Sequence, residues 1–417
     1  MRLIRELIPP TKLERAVALQ SILSAFATGS FLTGTAVFFT RIVGLSAAQV
    51  GLGLSISGVV VLGLSVPLGR LADRLGSRRI WAIGALLEAL LYFAWPWLRG
   101  FELFTLMLSV LAIMETASRA GRNAYVIEVF PRDQRVRSMA FIRAARNIGY
   151  TMGAAASGFA LAIGTRSAVE GVPLLTGALL LANAAMVVRL PRVEQPEHIA
   201  VEGVSSPSGL RNRGFVALGV CNGVLSTHQV LLNVVVPLWL VERTDAPHVL
   251  LAWLFGTNTV LSVLLQVRTA KGAETIAGAL RATRRGAVCM IASCGIIAVT
   301  HDTVGWVSIA LIWAGHVTIS GAELWQSAAG WGLMAELSDP QRLGEYQGVW
   351  NLGYQAADIL GPALFTYLAI NVGTPGWIAI AVLILLAAAG TYPSTRAAQR
   401  HLEQHVVADD AALVSPS

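Results

Sequence analysis

Hydrophobic residues fall in long runs separated by short polar segments. A helix needs about 20 apolar residues to cross a bilayer, and a backbone in lipid must satisfy its own hydrogen bonds. The pattern therefore predicts an all-α integral membrane protein with twelve transmembrane helices. The predicted helices are 16–40, 48–68, 79–98, 101–118, 138–163, 168–188, 214–240, 248–267, 286–300, 304–334, 346–370 and 376–393.

A polar segment divides these helices into two groups of six. It reads RLPRVEQPEHIAVEGVSSPSGLRNR at 189–213, and its prolines and mixed charges are typical of a linker. We predict an N-terminal six-helix bundle at 1–188, a central cytoplasmic linker at 189–213 and a C-terminal six-helix bundle at 214–394. A flexible cytoplasmic tail is expected at 395–417.

The two halves resemble each other. The tetrapeptide NIGY at 147–150 recurs as NLGY at 351–354, and each copy opens the fifth helix of its half. Each follows a loop of similar composition, EVFPRDQR in one half and ELSDPQR in the other. Internal duplication with a binding site between the repeats is a recurring plan of transporters.

The composition is typical of a membrane protein, and the distribution of basic residues predicts how the chain is oriented in the membrane. The chain has 417 residues, of which 55% are hydrophobic and 13% charged, whereas soluble domains carry about 25% charged residues. With the N-terminus inside, only four of the 31 basic residues lie in outside loops: Arg41, Arg99, Arg166 and Arg243. The positive-inside rule then predicts that both termini are cytoplasmic. The net charge of +7 reflects this topology, and we expect no nucleic-acid partner.

The loop after the second helix carries the most specific motif, GRLADRLGSRR at 69–79. Its glycines permit a tight turn and close backbone approach. Asp73 is an anion among arginines, so it could bind a basic partner or a neighbouring helix N-terminus. Without further information, a topology-determining loop with solvated charges explains the same residues.

This loop resembles the signature loop of the major facilitator superfamily, roughly G-x-L-A-D-R-x-G-R/K-R/K, with Ser77 as the departure. The resemblance extends over the whole chain in architecture. It implies a transporter with two pseudo-symmetric six-helix bundles and a cytoplasmic latch that forms and breaks during alternating access. The residues implied in that latch are Gly69, Arg70, Asp73, Arg74, Gly76, Arg78 and Arg79. The corresponding loop 268–285 keeps two adjacent arginines but lacks the Gly/Asp core.

Two further segments are similar to superfamily antiporters. Arg119 and Arg122 near the end of the fourth helix loosely resemble a basic antiporter motif, although snorkelling arginines explain them too. The fifth helix reads GYTMGAAASG at 149–158 and resembles the glycine-rich motif of drug/proton antiporters. The proline of that motif is absent, with Ala154 nearest to its place, and close helix packing explains the stretch equally well.

Ionisable side chains inside predicted helices are functional candidates because burying them in a membrane is expensive. Glu88 and Asp358 are the candidates for proton coupling. A carboxylate, an aromatic ring, an amide and an imidazole in the second half are candidates for the substrate cavity: Glu323, Trp325, Gln326 and His228. Each could instead be satisfied by a structural partner on another helix. The first helix has no carboxylate, where many drug/proton antiporters place one.

The leading functional hypothesis is proton-linked efflux of a hydrophobic or amphipathic small organic molecule from a bacterial cell. An importer or symporter of a sugar, organic acid or osmolyte is the alternative, and a non-transporting receptor with a transporter fold is a remote one. No loop suits a catalytic domain, and no phosphate-binding glycine loop is present, so neither an enzyme nor an ATP-driven pump is expected. The expected partners are a small-molecule substrate and the lipid bilayer of the cell membrane. We expect an ion gradient as the driving force, no cofactor, no metal and a functional monomer.

Overall fold

The computed structural model describes residues 9–163, 165–192 and 208–414, and within these ranges it contains helices and connecting segments but no strand. The predicted all-α fold class is confirmed. The helices of the first half are α1 (Lys12–Val37), α2 (Ala47–Leu75), α3 (Ser77–Ala94), α4 (Phe101–Val129), α5 (Arg135–Ile163) and α6 (Arg166–Arg189). Those of the second half are α7 (Arg213–Arg243), α8 (Leu250–Ala270), α9 (Ile276–Ala298), α10 (Trp306–Leu337), α11 (Leu343–Thr366) and α12 (Thr374–Val414).

Nine of the helices in the described ranges are long and apolar enough to cross a membrane on length and composition. The three helices outside that set are α1, α5 and α11. Helix α5 begins with a run of arginines, and α11 carries Glu345, Asn351 and Asp358. Polar residues of this kind are tolerated in a membrane helix when they face protein or water rather than lipid.

Most helices extend beyond the apolar runs that predicted them. Helix α4 continues from residue 118 to Val129, and α9 begins at Ile276 rather than at residue 286. The apolar run marks only the part of a helix that lies in hydrocarbon, whereas helical hydrogen bonding continues until a cap ends it. Thr275 supplies such a cap for α9, because its side chain accepts the backbone N–H of Gly278 at 3.1 Å.

The predicted flexible tail is helical over most of its length, because α12 runs to Val414. The segment contains five alanines and no glycine, and its single proline, Pro416, lies beyond the helix, so its composition is compatible with a helix. Its first part is also packed, since Thr395 and Ala398 are fully buried. The central part of the predicted linker, 193–207, lies outside the described residues, and so do 415–417.

The chain forms two compact units. The first contains α1 to α6 together with residues 343–348, the first turn and a half of α11. The second contains α7 to α12 from residue 349 onward, together with residues 132–137 at the start of α5. Each half therefore contributes one short segment to the unit formed mainly by the other half.

Helix pairing is repeated in the two units. In the first unit α3 packs on α4 and α6, α2 packs on α4, and α1 packs on α6. In the second unit α9 packs on α10 and α12, α8 packs on α10, and α7 packs on α12. Each pair in one unit corresponds to the pair six helices later in the other, which is the pattern of an internal duplication.

The repeated tetrapeptide makes the same contact in each unit. A Cβ atom on Gly149 of α5 would overlap the carbonyl oxygen of Ile22 in α1. A Cβ atom on Gly353 of α11 would overlap the carbonyl oxygen of Gly219 in α7. Both glycines thus allow the fifth helix of a half to lie directly against the first, as small residues do in membrane helix pairs.

Candidate functional site

The motif at 69–79, predicted as a loop, is the end of α2 and the start of α3, and it holds the start of α11 within the first unit. The carboxylate of Asp73 accepts the backbone N–H of Gly344 at 2.6 Å and that of Glu345 at 2.8 Å. These two amides belong to the first turn of α11 and have no partner inside that helix. Asp73 therefore caps α11, and its negative charge also opposes the positive end of the helix dipole.

Two neighbours complete this contact. Arg70 donates to Glu345, with its Nη2 atom 3.2 Å from Oε1, and the Glu345 side chain is only 1% exposed. The backbones of Gly69 and Gly344 approach so closely that a Cβ atom on either would overlap the carbonyl oxygen of the other. Charge pairing, capping and backbone packing thus act on the same turn. Sequence reasoning did not identify Glu345, although an acid in the first turn of a helix is a recognisable signal.

The remaining residues of the loop serve the first unit itself. Gly76 has φ +90° and forms the junction between α2 and α3, a conformation that disfavours residues with a side chain. Arg78 donates to the carbonyl oxygens of Val188 at 3.0 Å and Leu190 at 2.6 Å at the end of α6. Arg74 and Arg79 are exposed.

A second short segment makes an ion pair within the other unit. Arg132 donates from Nε to Oε1 of Glu336 at 2.7 Å, and from Nη2 to Oε2 of the same carboxylate. This bidentate geometry is the strongest arrangement of a guanidinium with a carboxylate. The hydrogen bonds to Glu336, and then its charge, raise the pKa of Arg132 above its usual value, so this arginine stays cationic.

Charged side chains from α3, α4 and α5 meet inside the first unit. Arg119 donates to Glu115 one turn earlier at 2.6 Å, and both side chains are nearly half exposed. Arg122 interacts electrostatically with Glu115, with Arg119 and with Arg146 of α5. Because charged groups in a span face protein or a water-filled cavity rather than lipid, this side of α4 faces a polar interior.

Arg146 and Tyr150 form the α5 side of this cluster. Arg146 donates to the Tyr150 hydroxyl at 2.6 Å, and its guanidinium carbon lies 5.3 Å from the centre of the tyrosine ring. The tyrosine belongs to the repeated tetrapeptide. Sequence reasoning counted Arg146 only as a topology signal, and its i, i+4 spacing to Tyr150 was the available hint.

Glu88 of α3 faces the same cluster. It interacts electrostatically with Glu115, Arg122 and Arg119, and the hydroxyl of Ser118 lies against the carboxylate. Its Oε1 atom is buried and has no hydrogen-bond partner among the described residues. A buried oxygen of this kind calls for a proton, a water molecule or a ligand.

In the second unit, Glu323 is the centre of a polar network. Its Oε1 atom accepts from Gln229 of α7 at 2.9 Å, and its Oε2 atom accepts from Asn258 of α8 at 2.8 Å. Asn258 also lies 3.1 Å from the hydroxyl of Ser320, and Asn233 donates to Gln229 at 3.3 Å. Three helices of the second unit therefore converge on one carboxylate.

Helix α7 is irregular where it reaches this network. The α-helix is interrupted at Thr227 and becomes a π-helix over Leu231–Val235. Such π-bulges occur often at functional sites because they rotate the side chains that follow. Gln229 lies between the interruption and the π-helix and donates to Glu323, whereas His228 is buried and its Nδ1 atom lies 3.0 Å from the carbonyl oxygen of Leu225.

The predicted group of Glu323, Trp325 and Gln326 is not a single cluster. Gln326 donates to Asn222 of α7 at 3.2 Å, while Trp325 lies under Arg285 of α9, 4.7 Å from ring centre to guanidinium carbon. Residues two apart on a helix point about 200° apart, so Trp325 contacts a different neighbour from Glu323.

Two other ionisable residues of the second unit lie within its predicted spans, His316 and Asp358. His316 of α10, which sequence reasoning missed, is 3% exposed, lies beside the backbone of Leu254 and interacts electrostatically with Glu323. Asp358 lies on an exposed face of α11. The described residues contain no group of three or more metal-binding side chains.

The helices and their buried charges define a multi-pass membrane transporter of the α-helical class. The chain matches the family model of the Major Facilitator Superfamily over residues 17–329. That match covers more than half of the chain, so the protein belongs to the Major Facilitator Superfamily.

Solved structures support the same fold. The E. coli fucose:proton symporter FucP has 14% identity and a TM-score of 0.65, with 92% of this chain and 98% of that chain covered. The human organic anion transporter TETRAN has 17% identity and a TM-score of 0.65, with 92% and 100% covered. A bacterial homologue of the iron transporter ferroportin has 13% identity and a TM-score of 0.64, with 94% and 99% covered. At these identities the likeness concerns the fold alone.

Proposed function

We propose that this transporter couples the movement of an amphipathic small organic molecule to protons, by alternating access, and that it exports that molecule. The observation that carries the proton linkage is Glu88. Its carboxylate lies within a membrane span and keeps one buried oxygen without a hydrogen-bond partner in the part of the chain that is described. Carboxylates at membrane depth are the usual carriers in proton relays.

The surroundings of Glu88 support a coupling role rather than a purely structural one. A structural carboxylate in a membrane is held by a close partner, as Glu115 is by Arg119 at 2.6 Å. Glu88 instead faces Arg119 and Arg122 without an ion pair to either in the described ranges, and it also faces the like charge of Glu115. Gain or loss of a proton at Glu88 changes the charge that this cluster presents to a substrate.

The second unit supplies groups suited to the polar part of an organic substrate. Glu323 accepts from two neutral amides, Gln229 and Asn258, and amides can exchange such hydrogen bonds for hydrogen bonds to a ligand. The resemblance of the glycine-rich stretch in α5 to drug/proton antiporters favours export. The remaining functional proposals are a cell-membrane location, cytoplasmic termini and action without a bound cofactor.

Proton-coupled uptake of an organic acid is the second candidate, and the arginines favour it. Arg119, Arg122 and Arg146 outnumber the two glutamates of the cluster, so the cluster attracts an anion. An anion would also interact more favourably with the site when Glu88 is protonated, and a substrate that binds together with a proton is carried in the same direction.

Reconstituted protein distinguishes these proposals. Proteoliposomes with a pH dye in the lumen are given naphthalene sulfonate, naphthamide or naphthyl trimethylammonium, three amphipathic probes that differ in charge. Export by proton exchange predicts that probe and proton move in opposite directions, whereas uptake predicts the same direction.

Glu88→Gln should abolish the proton movement, and Glu102→Gln, at an exposed glutamate of α4, should preserve it. Asp358→Asn is compared in the same assay. Probe flux that does not depend on the pH gradient, or an absence of proton movement with all three probes, would contradict the proton linkage.

A further inference from the structure

The guanidinium of Arg122 has no ion-pair or hydrogen-bond partner in the described ranges. The nearest carboxylate on its own helix, Glu115, is already bound by Arg119 at 2.6 Å. The adjacent arginine of α5, Arg146, is a like charge and donates to Tyr150. Arg122 therefore lies near two other arginines and forms no ion pair with either nearby glutamate in the described ranges.

Arg122 does not have the surroundings of a snorkelling residue. A snorkelling arginine extends its charge toward the membrane surface, away from other helices. The charge of Arg122 instead acts on Glu88 in α3, on Glu115 in α4 and on Tyr150 in α5. Gly121, beside it in the chain, lies against the backbone of Ser77 and Trp81 in α3, so this part of α4 is packed inside the unit.

A partly buried guanidinium without an ion pair is costly, and the two neighbouring arginines increase that cost. Binding of an anion would remove both penalties. The planar donor fork of arginine matches a carboxylate, sulfonate or phosphate in two-point contact, and the bond is stronger where water is excluded. The position of Glu115 is consistent with anion binding at Arg122. Glu115 pairs with Arg119, so it does not occupy the guanidinium of Arg122.

We propose that Arg122, together with Arg146, binds the anionic group of the transported molecule, which assigns the substrate to the amphipathic organic anions. Tyr150 positions Arg146 through its hydroxyl and its ring. We assign the amphipathic class because the site lies on a helix that is long and apolar enough to cross the membrane. The rest of the substrate is therefore expected to be apolar. The inference rests on the proposed proton-linked transport and not on its direction, and it names the substrate class of the same cluster.

The test measures binding by the purified full-length protein, without a gradient, using the same three naphthalene probes. Wild type should bind the sulfonate more tightly than the neutral amide or the cation. Arg122→Gln should weaken sulfonate binding by about 30-fold or more, the usual loss when one partner of a buried charge pair is removed. Arg122→Lys keeps the charge but loses the two-point contact, so it should retain part of the affinity.

Matched measurements separate binding from folding. Arg166→Gln removes an exposed arginine of the same unit that pairs with Glu170, and it should leave sulfonate affinity unchanged. Because Arg122 lacks a counter-charge, Arg122→Gln should not lower the unliganded melting temperature. Sulfonate should also protect Arg122 from modification by phenylglyoxal, as read by mass spectrometry.

Three results would overturn the anion site: absence of saturable sulfonate binding, equal affinity for sulfonate and amide, or unchanged sulfonate affinity in Arg122→Gln. The site is also rejected if Arg122→Gln lowers the melting temperature and sulfonate does not protect Arg122 of the wild type from phenylglyoxal. That pair of results would assign Arg122 to folding. If the sulfonate binds through Arg122 but its flux ignores the pH gradient, the anion site stands and the proton linkage fails.

Discussion

The carboxylate of Asp73 accepts the backbone N–H of Gly344 at 2.6 Å, and its second oxygen accepts the next amide of α11. An aspartate has two acceptor oxygens for these two donors, whereas asparagine has one oxygen and would turn an N–H₂ group toward the other donor. Loss of a helix cap costs about 1 kcal/mol, and this site also loses a charge.

We therefore expect Asp73→Asn to slow transport several-fold while substrate affinity stays close to wild type. The physical reason is that the conformation held by this contact becomes less populated, and a transport cycle that passes through it slows. Flux in proteoliposomes and binding in detergent measure the two effects. Asp133→Asn, at an exposed aspartate with no hydrogen bond or ion pair in the described ranges, is the control. Normal flux in Asp73→Asn would reject a latch role.

The close approach of Gly69 and Gly344 gives a second, steric test of the same contact. An added methyl group on Gly69 would overlap the carbonyl oxygen of Gly344, while one on Gly63 of the same helix would meet open space. Gly69→Ala should slow flux, and Gly63→Ala should not. Because Asp73 and Gly69 act on one contact, the double variant should be less impaired than the two single effects added together. Strictly additive losses would show that the two residues act separately.

The existence of the helices could be predicted from sequence because lipid imposes one rule on every span, namely a long apolar run that is helical. Their ends could not, because the apolar run stops where hydrocarbon stops and the helix continues, as α12 does to Val414. Sequence reasoning also missed the π-helical turn at Leu231–Val235, although Pro237, which has no N–H for the carbonyl of Asn233, was an available signal of irregularity.

The candidate site could be predicted residue by residue but not as an arrangement. Sequence identified Glu88 and Glu323 from the cost of burying charge, and Arg122 from its resemblance to a basic antiporter motif. It could not pair Glu323 with Gln229, because that contact depends on the rotation of α7 around its interruption at Thr227. Nor could it show that Trp325 contacts Arg285 rather than sharing a face with Glu323.

The duplicated glycines predict matched losses of stability in the two halves. A methyl group on Gly149 or on Gly353 would overlap backbone atoms of the partner helix, and overpacking of this kind typically costs about 1–3 kcal/mol. Gly149→Ala and Gly353→Ala should each lower the melting temperature in detergent by several degrees. Gly158→Ala, which adds a methyl group in open space of the same fifth helix, should not. A stable Gly353→Ala variant would argue against equivalent packing of the repeats.

The loop between α7 and α8 predicts a pH-dependent contribution to stability. Asp245 accepts the backbone N–H of Gly305 at 2.5 Å, next to the first turn of α10. That hydrogen bond, with a second one from the hydroxyl of Ser308, holds the pKa of Asp245 below its ordinary value of 3.8. A carboxyl group whose pKa is lower in the folded protein stabilises it fully above the unfolded pKa.

This contribution should be lost as the pH falls through the lowered pKa of Asp245. The melting temperature of wild type should therefore exceed that of Asp245→Asn at neutral pH, and the difference should shrink as the solution becomes acidic below pH about 4. Asp133→Asn, at an exposed aspartate with no hydrogen bond or ion pair in the described ranges, is the control. A wild-type advantage that stays constant from neutral to strongly acidic pH would show that the aspartate acts through its shape rather than through its charge.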